Sequence, residues 1–320
     1  MAKAGTAHGQ SGYYNLDSGR PVRAEDATPT PRYELELQVP TLRVERYDEG
    51  TFRWRLEPKL SFGVFPLTEL EVRLPVVRIL PRAPAQTVTG IASIGIGALH
   101  AFNIETQLVP AFAISGDVSL PVGSLAAPRT AYAVKLIATK SLPRVRLNLN
   151  VAGGSWNVEP PSSNQPPPPT CGTGAPGVPP CELPPIPPDL PCTVIPLEAV
   201  GSSSTVAAHC AAGSTSAPAA AVFIPRTSGS RWMAVFAVDH ALPLESTLFV
   251  ADVVAERVYG LYPLTDWTAE VGLRRQLTPQ LVGDFGVARR FRGSTTATSV
   301  TLGFTYGFAI PLWRTLLGGT

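Results

Sequence analysis

Residues 51–64 alternate without a break. Phe52, Trp54, Leu56, Pro58, Leu60, Phe62 and Val64 hold the even positions, and Arg53, Arg55, Glu57, Lys59 and Ser61 stand among the odd ones. Successive strand residues point to opposite faces, so such a strand has one apolar face and one charged face. A soluble sandwich would turn the charged face to water. A transmembrane β-barrel would turn the apolar face to lipid and the charged face to a wet lumen. Eleven further runs share the habit, at 32–45, 69–80, 90–102, 106–121, 131–139, 144–151, 231–238, 246–256, 267–275, 281–291 and 299–308. In the first of these, Tyr33, Leu35, Leu37 and Val39 share a face. A phase shift at Pro40-Thr41, where a bulge is expected, lets Leu42 and Val44 continue it. In the run at 144–151, Val145, Leu147, Leu149 and Val151 oppose Arg144, Arg146, Asn148 and Asn150.

The links between runs alternate in length. Pro66-Leu67-Thr68, Asn103-Ile104-Glu105, 140–143, 240–245 and Thr278-Pro279 are short, and the links between them are mostly longer. Short turns on one rim and long loops on the other are the pattern of an outer-membrane barrel, and an even strand number leaves both termini on the short-turn side. The expected fold is therefore all-β: a single antiparallel up-and-down transmembrane β-barrel of about 12 strands. Residues 1–30 form an N-terminal periplasmic lead, 31–152 carry strands 1–7, and 229–308 carry strands 8–12. The Pro/Gly/Ser-rich segment 153–228 reads as an extracellular loop, because Pro lacks the N–H a ladder needs, and 309–320 as a tail. Met1 to Ala27 lacks the apolar core of a secretory signal, and we read it as a mature or truncated start; no Cys near it supports a lipid anchor.

Composition sharpens this picture. The chain of 320 residues is 44% hydrophobic and 16% charged, with a mean hydropathy of +0.13. That is apolar for a soluble protein, yet no stretch reaches the roughly 18 to 20 apolar residues of a membrane helix. A net charge of +2, with Lys and Arg strewn instead of clustered, argues against nucleic acid as a partner. The polar face collects cations and anions in near balance: Glu34, Glu36, Arg53, Arg55, Glu57, Lys59, Glu69, Glu71, Arg73, Lys135, Arg144, Arg146, Glu270, Arg274, Asp284 and Arg290, with Asp117, Asp252 and Glu256. A dry soluble core could not hold so many ions, since each costs several kcal/mol unless well paired. They are the candidate lumen and selectivity residues, with Glu34 and Glu36 expected to pair with Arg53, Arg55 and Lys59 across the next strand.

Little in the chain suggests chemistry. Cys171, Cys181, Cys192 and Cys210 all fall in the 153–228 loop, and we expect two disulfides there, with all three pairings open. A zinc site that also uses His209 is the alternative, but no Cys-x-x-Cys pair is present and no metal or other cofactor is expected. His8, His100, His209 and His240 lie apart, with Asp239-His240 read as a solvated turn pair; no nucleophile elbow or phosphate-cradling loop occurs, so the chain reads as no enzyme. Trp54, Trp232, Trp267 and Trp313 near strand ends suit the aromatic girdles of a membrane interface.

The last strand, residues 301–308, places Thr301, Gly303, Tyr306 and Phe308 in the pattern polar, any, Gly, any, any, aromatic, any, aromatic. It resembles the C-terminal recognition signal of outer-membrane proteins, which implies the barrel assembly machinery as a partner. The tail beyond Phe308 departs from that signal. More broadly, the stretches GVFPLTELEV at 63–72, VSLPVG at 118–123, YPLTDW at 262–267 and GLRRQLTP at 272–279 are similar to the outer-membrane family described as a putative MetA-pathway of phenol degradation, or transporter. That resemblance implies a channel for passive passage of small solutes, aromatic or apolar ones included, across a bacterial outer membrane. The alternative is a non-conducting surface protein, an adhesin or assembly contact, whose lumen is plugged by charge.

Overall fold

The computed structural model describes residues 12–39, 41–82, 86–126, 129–158, 227–259 and 264–309. The four Cys, Trp313 and the C-terminal tail lie outside the described residues. Sixteen strand segments build twelve staves. β1 (Glu34–Gln38) and β2 (Leu42–Tyr47) are the halves of the first, β3 (Phe52–Leu56) and β4 (Lys59–Phe65) of the second, β5 (Thr68–Arg73) and β6 (Val76–Leu80) of the third, and β7 (Val88–Ile91) and β8 (Ile94–Ala101) of the fourth. The other eight are single strands: β9 (Ala111–Leu120), β10 (Ala131–Ser141), β11 (Arg146–Val158), β12 (Thr227–Leu242), β13 (Thr247–Val258), β14 (Asp266–Thr278), β15 (Leu281–Arg292) and β16 (Ala297–Ala309). Every neighbouring pair is antiparallel. The ring closes because β16 pairs with β15 on one side and with β1 and β2 on the other, Leu37 facing Tyr306 and Val44 facing Val300.

The split staves lie side by side, and Pro explains most of the splits. The breaks fall at 39–41, Glu57-Pro58, Leu74-Pro75 and Ala92-Ser93, three of them beside a Pro that cannot donate to the ladder. Single bonds stitch the seam: Glu57 N–H to the Thr41 carbonyl at 3.0 Å, Leu74 N–H to Pro58 at 3.1 Å, and Ala92 N–H to Pro75 at 3.0 Å.

The two faces sort as the alternation requires. Glu36, Lys59, Ser61, Glu69, Asn148, Asn150, Asp252, Glu270, Arg274 and Asp284 are buried, while Phe52, Trp54, Leu60, Leu70, Phe112, Tyr132, Leu136, Phe236, Phe249, Val271, Phe285 and Phe304 are exposed right around the ring. This is the reverse of a soluble protein. A closed antiparallel ladder with an apolar exterior and a charged interior is a membrane-embedded barrel, since lipid offers no partner to an open sheet edge. Trp54 and Trp267 are exposed on the outer face, and Trp232 is half-buried.

Three connections differ from the sequence reading. The link between β8 and β9 is nine residues rather than three, because Asn103 bonds the Pro110 carbonyl at 2.7 Å and accepts the Phe112 N–H at 3.0 Å, closing a loop. β12 runs on to Leu242 and is followed by a single 3-10 turn, Pro243–Glu245. Arg144 precedes β11 and is exposed in the rim turn, so it is not a lumen residue. On the opposite rim Asp48 braces two turns. Arg289 grips its carboxylate with two bonds of 3.0 Å, Thr296 donates a third, and the Asp48 N–H bonds the Thr296 carbonyl at 3.2 Å.

The Arg289 and Thr296 bonds hold the Asp48 carboxyl below its ordinary value. A depressed carboxyl stabilises the fold at neutral pH and loses that contribution as pH falls through its folded value. An NMR titration of the Asp48 carboxyl should therefore show a midpoint below that of a free aspartate, restored by Arg289→Gln. Leu136, exposed midway along β10, gives a second test: Leu136→Arg should cost about 2–4 kcal/mol in urea-dependent folding into vesicles.

Candidate functional site

The lumen is occupied by the chain's own N-terminal segment. Residues 12–31, expected from the sequence in the periplasm, run along the inner wall, with Leu16, Arg20, Val22, Ala24, Asp26 and Ala27 all buried. A segment inside a closed barrel finds no free ladder edge, so its backbone must bond to side chains. The N–H groups of Arg23 and Ala24 donate to Asp252 at 2.9 and 3.0 Å, and that of Ala27 to Thr139 at 2.9 Å. Thr30 donates to Glu69 at 2.6 Å. Asn150 imitates a strand neighbour, accepting the Glu25 N–H at 2.8 Å and donating to the Glu25 carbonyl at 2.7 Å.

Charge fixes the same path. Asp17 pairs with Lys59 at 3.2 Å, Arg20 with Asp284 at 3.2 Å, Arg23 with Glu256 at 2.9 Å and Glu270 at 3.2 Å, Asp26 with Arg146 at 3.1 Å, and Glu25 with Lys135. These partners come from the second, sixth, seventh, ninth, tenth and eleventh staves, so the segment is tied to much of the circumference. Arg274, fully buried, stands 3.6 Å from Asp284 and 3.8 Å from Asp17.

An apolar strip interrupts the charged wall. Val235 and Ala237 of β12, Leu248, Val250 and Val254 of β13, and Val282 of β15 face inward and are buried by Tyr13, Leu16, Val22 and Ala24. Uncovered, that strip would be exposed in a wet lumen. Glycines make room where the segment crosses the wall. A Cβ on Gly286 would overlap the Pro21 carbonyl, one on Gly272 would lie 2.6 Å from the Pro21 ring, and one on Gly63 would overlap the Pro31 carbonyl.

Most sequence-derived lumen residues do face inward, but their pairing differs from the expectation. Glu36 lies opposite Ser61 and Glu34 opposite Ala309, because the break at 39–41 sets the first half of the stave against β4 instead of β3. Arg53 pairs instead with Glu45 at 3.6 Å, Arg55 with Glu57 at 2.6 Å, and Lys59 with Glu71 at 2.9 Å. Arg73 bridges Glu71 at 3.4 Å and Asp117, and Arg290 lies 3.8 Å from Asp266. Asp239 is buried and bonds Arg146 at 2.9 Å, so it is a lumen residue and not a solvated turn partner; His240 is exposed, its Nδ1 2.5 Å from the Arg144 carbonyl. In the last strand Thr301 and Gly303 face inward, whereas Tyr306 faces out and stacks near Phe308 at 5.8 Å between centroids.

Sequence reading passed over Asp17, Arg20, Arg23, Glu25 and Asp26, since the lead carries no strand period. Its one signal was five charges of mixed sign within ten residues next to apolar Leu16 and Val22. Arg43 and Glu45 were also passed over, although the phase shift at Pro40-Thr41 implies that they face the lumen.

The segment fills the half of the lumen nearer the short turns. Toward the other rim a cavity of about 370 Å³ remains, floored by Ser18, Gly19 and Arg20 and walled by β2, β3 and the adjoining ends of β12 to β15.

No family model matches this chain, and no curated protein does. Among solved structures it is similar to the COG4313 outer membrane channel from Pseudomonas putida F1, with 8% identity and a TM-score of 0.52 over 92% of this chain and 100% of that one. It is also similar to the NanC porin (7%, 0.45, 84% and 99%) and to the KdgM porin (8%, 0.44, 85% and 98%). At such identities the first likeness establishes a shared fold, a closed twelve-stranded antiparallel barrel of the outer-membrane type, and the other two add no support. The narrower phenol-degradation family suggested by the sequence motifs is not confirmed.

A cysteine placed at Ala24, a fully buried position, should react slowly with a membrane-impermeant maleimide. Asp252→Asn, which weakens the acceptor of two N–H groups, should speed labelling about tenfold if those bonds seat the segment.

Proposed function

We propose that this barrel is a channel for small solutes across a bacterial outer membrane, closed in the described conformation by residues 12–31. The observation that carries the reading is the seating of that segment: it is held by side-chain bonds and ion pairs that exchange readily with water, not by a shared ladder that would make it a permanent stave. No catalytic step belongs to this reading. Withdrawal of the segment would uncover both charged wall and the apolar strip from Val235 to Val282, which favours solutes with an apolar or aromatic part beside a polar one. Kinship with the phenol-degradation family rests on the short motifs alone, and insertion by the barrel assembly machinery on the pattern of Thr301, Gly303, Tyr306 and Phe308.

A second reading has its own support. Five lead charges, each ion-paired to the wall, are what a permanently plugged, non-conducting surface protein would also carry. Planar-bilayer recording separates the two. The intact protein should show rare, small openings. Gly286→Val, which crowds Pro21, should raise the open fraction about tenfold, as expected from overpacking worth a kcal/mol or more. Silence from both proteins, and from one lacking residues 2–31, would leave the plugged surface protein as the better reading.

A further inference from the structure

The cavity above the N-terminal segment is not charge-balanced like the lumen as a whole. Nine cationic and four acidic side chains line it, among the described residues. The imbalance arises because carboxylates are shared. Glu45 serves both Arg43 at 3.4 Å and Arg53 at 3.6 Å, and Glu256 serves both Arg23 at 2.9 Å and Arg231. Five further carboxylates that serve these cations, Asp17, Glu71, Asp117, Glu270 and Asp284, do not line the cavity. They temper the field without competing for a ligand inside. Each guanidinium carries five N–H donors in a planar fork, more than one carboxylate accepts. Low-dielectric walls focus such a field.

We infer that this cavity is a binding site for small polyanions bearing carboxylate or phosphate groups, which its surplus of arginine forks would grip in bidentate fashion. The inference rests on the channel reading for its purpose, since it makes the cavity the recognition step for an anionic solute. Its volume of about 370 Å³ suits one small molecule and excludes a polymer. Arg55 and Glu57 offer the cleanest handle. They pair with each other at 2.6 Å, both line the cavity, and among the described residues neither pairs with a charge of the N-terminal segment.

Calorimetric titration of the full-length protein in detergent at low salt, with citrate and pyrophosphate as probes and putrescine as the cationic control, tests this without any need for current. One citrate or one pyrophosphate should bind per barrel, with affinity falling as salt rises, and putrescine should give no heat. Arg55→Gln should weaken anion binding about tenfold, and Glu57→Gln, which removes the carboxylate paired with Arg55, should strengthen it several-fold. A merely structural ion pair would move both variants the same way, in stability and not in affinity. Citrate binding without pyrophosphate binding, or the reverse, would assign the site to carboxylates or to phosphates. Absence of both, preference for putrescine, or loss of affinity in both variants would overturn the inference. The channel reading fails on different grounds, by silence in the bilayer, so the two outcomes are read separately.

Discussion

Closure of the hydrogen-bond ladder is the constraint on which the rest depends. In lipid an unpaired backbone group costs several kcal/mol, so β16 must find both β15 and the first stave, and irregular backbone is confined to the rims or the lumen. The seam of breaks at Pro58, Pro75 and their neighbours obeys the same rule. Three single bonds join the four breaks, and the lost ladder bonds fall in register on adjacent staves instead of scattering. Because the closed ladder leaves the segment no strand to pair with along its path, the segment is held mainly by side chains.

That is why the inner wall is built of short polar acceptors as well as charges. Asp252, Asn150, Thr139 and Glu69 each meet a backbone N–H of the lead, and the lead's own charges join wall pairs such as Lys59–Glu71, Glu256–Arg231 and Arg146–Asp239. Buried pairs of this kind add little net stability, since desolvation offsets most of their attraction, but removing one partner is costly. They therefore fix where the segment lies more than how firmly it is held. Arg274, buried between Asp17 and Asp284, illustrates the point: it has one partner on the wall and a second on the segment. The apolar strip on β12, β13 and β15 adds a hydrophobic term of the ordinary sign. Together the two terms fix the path of the segment, beneath a cavity whose arginines outnumber its carboxylates.

The twelve staves were legible in the chain because alternation has period two and lipid rewards it at every residue. The runs at 281–291 and 267–275, read from the pattern alone, correspond to β15 and β14 within a few residues. Errors clustered where periodicity is silent. The loop at 102–110 is shaped by the side chain of Asn103, which carries no period, and the ion partners of Arg53 and Lys59 depend on register across a bulge, which one residue of slip reverses.

By itself, then, the order of apolar and polar residues determined the fold class, the number of staves and which face meets lipid, because each of these follows from local alternation repeated along the chain. The occupant of the lumen was decided only in three dimensions. Residues 12–31 have no period of their own, and Asp17, Arg23 and Asp26 acquire their role from Lys59, Glu256 and Arg146, which lie far away in sequence and come within reach only when the barrel closes around them.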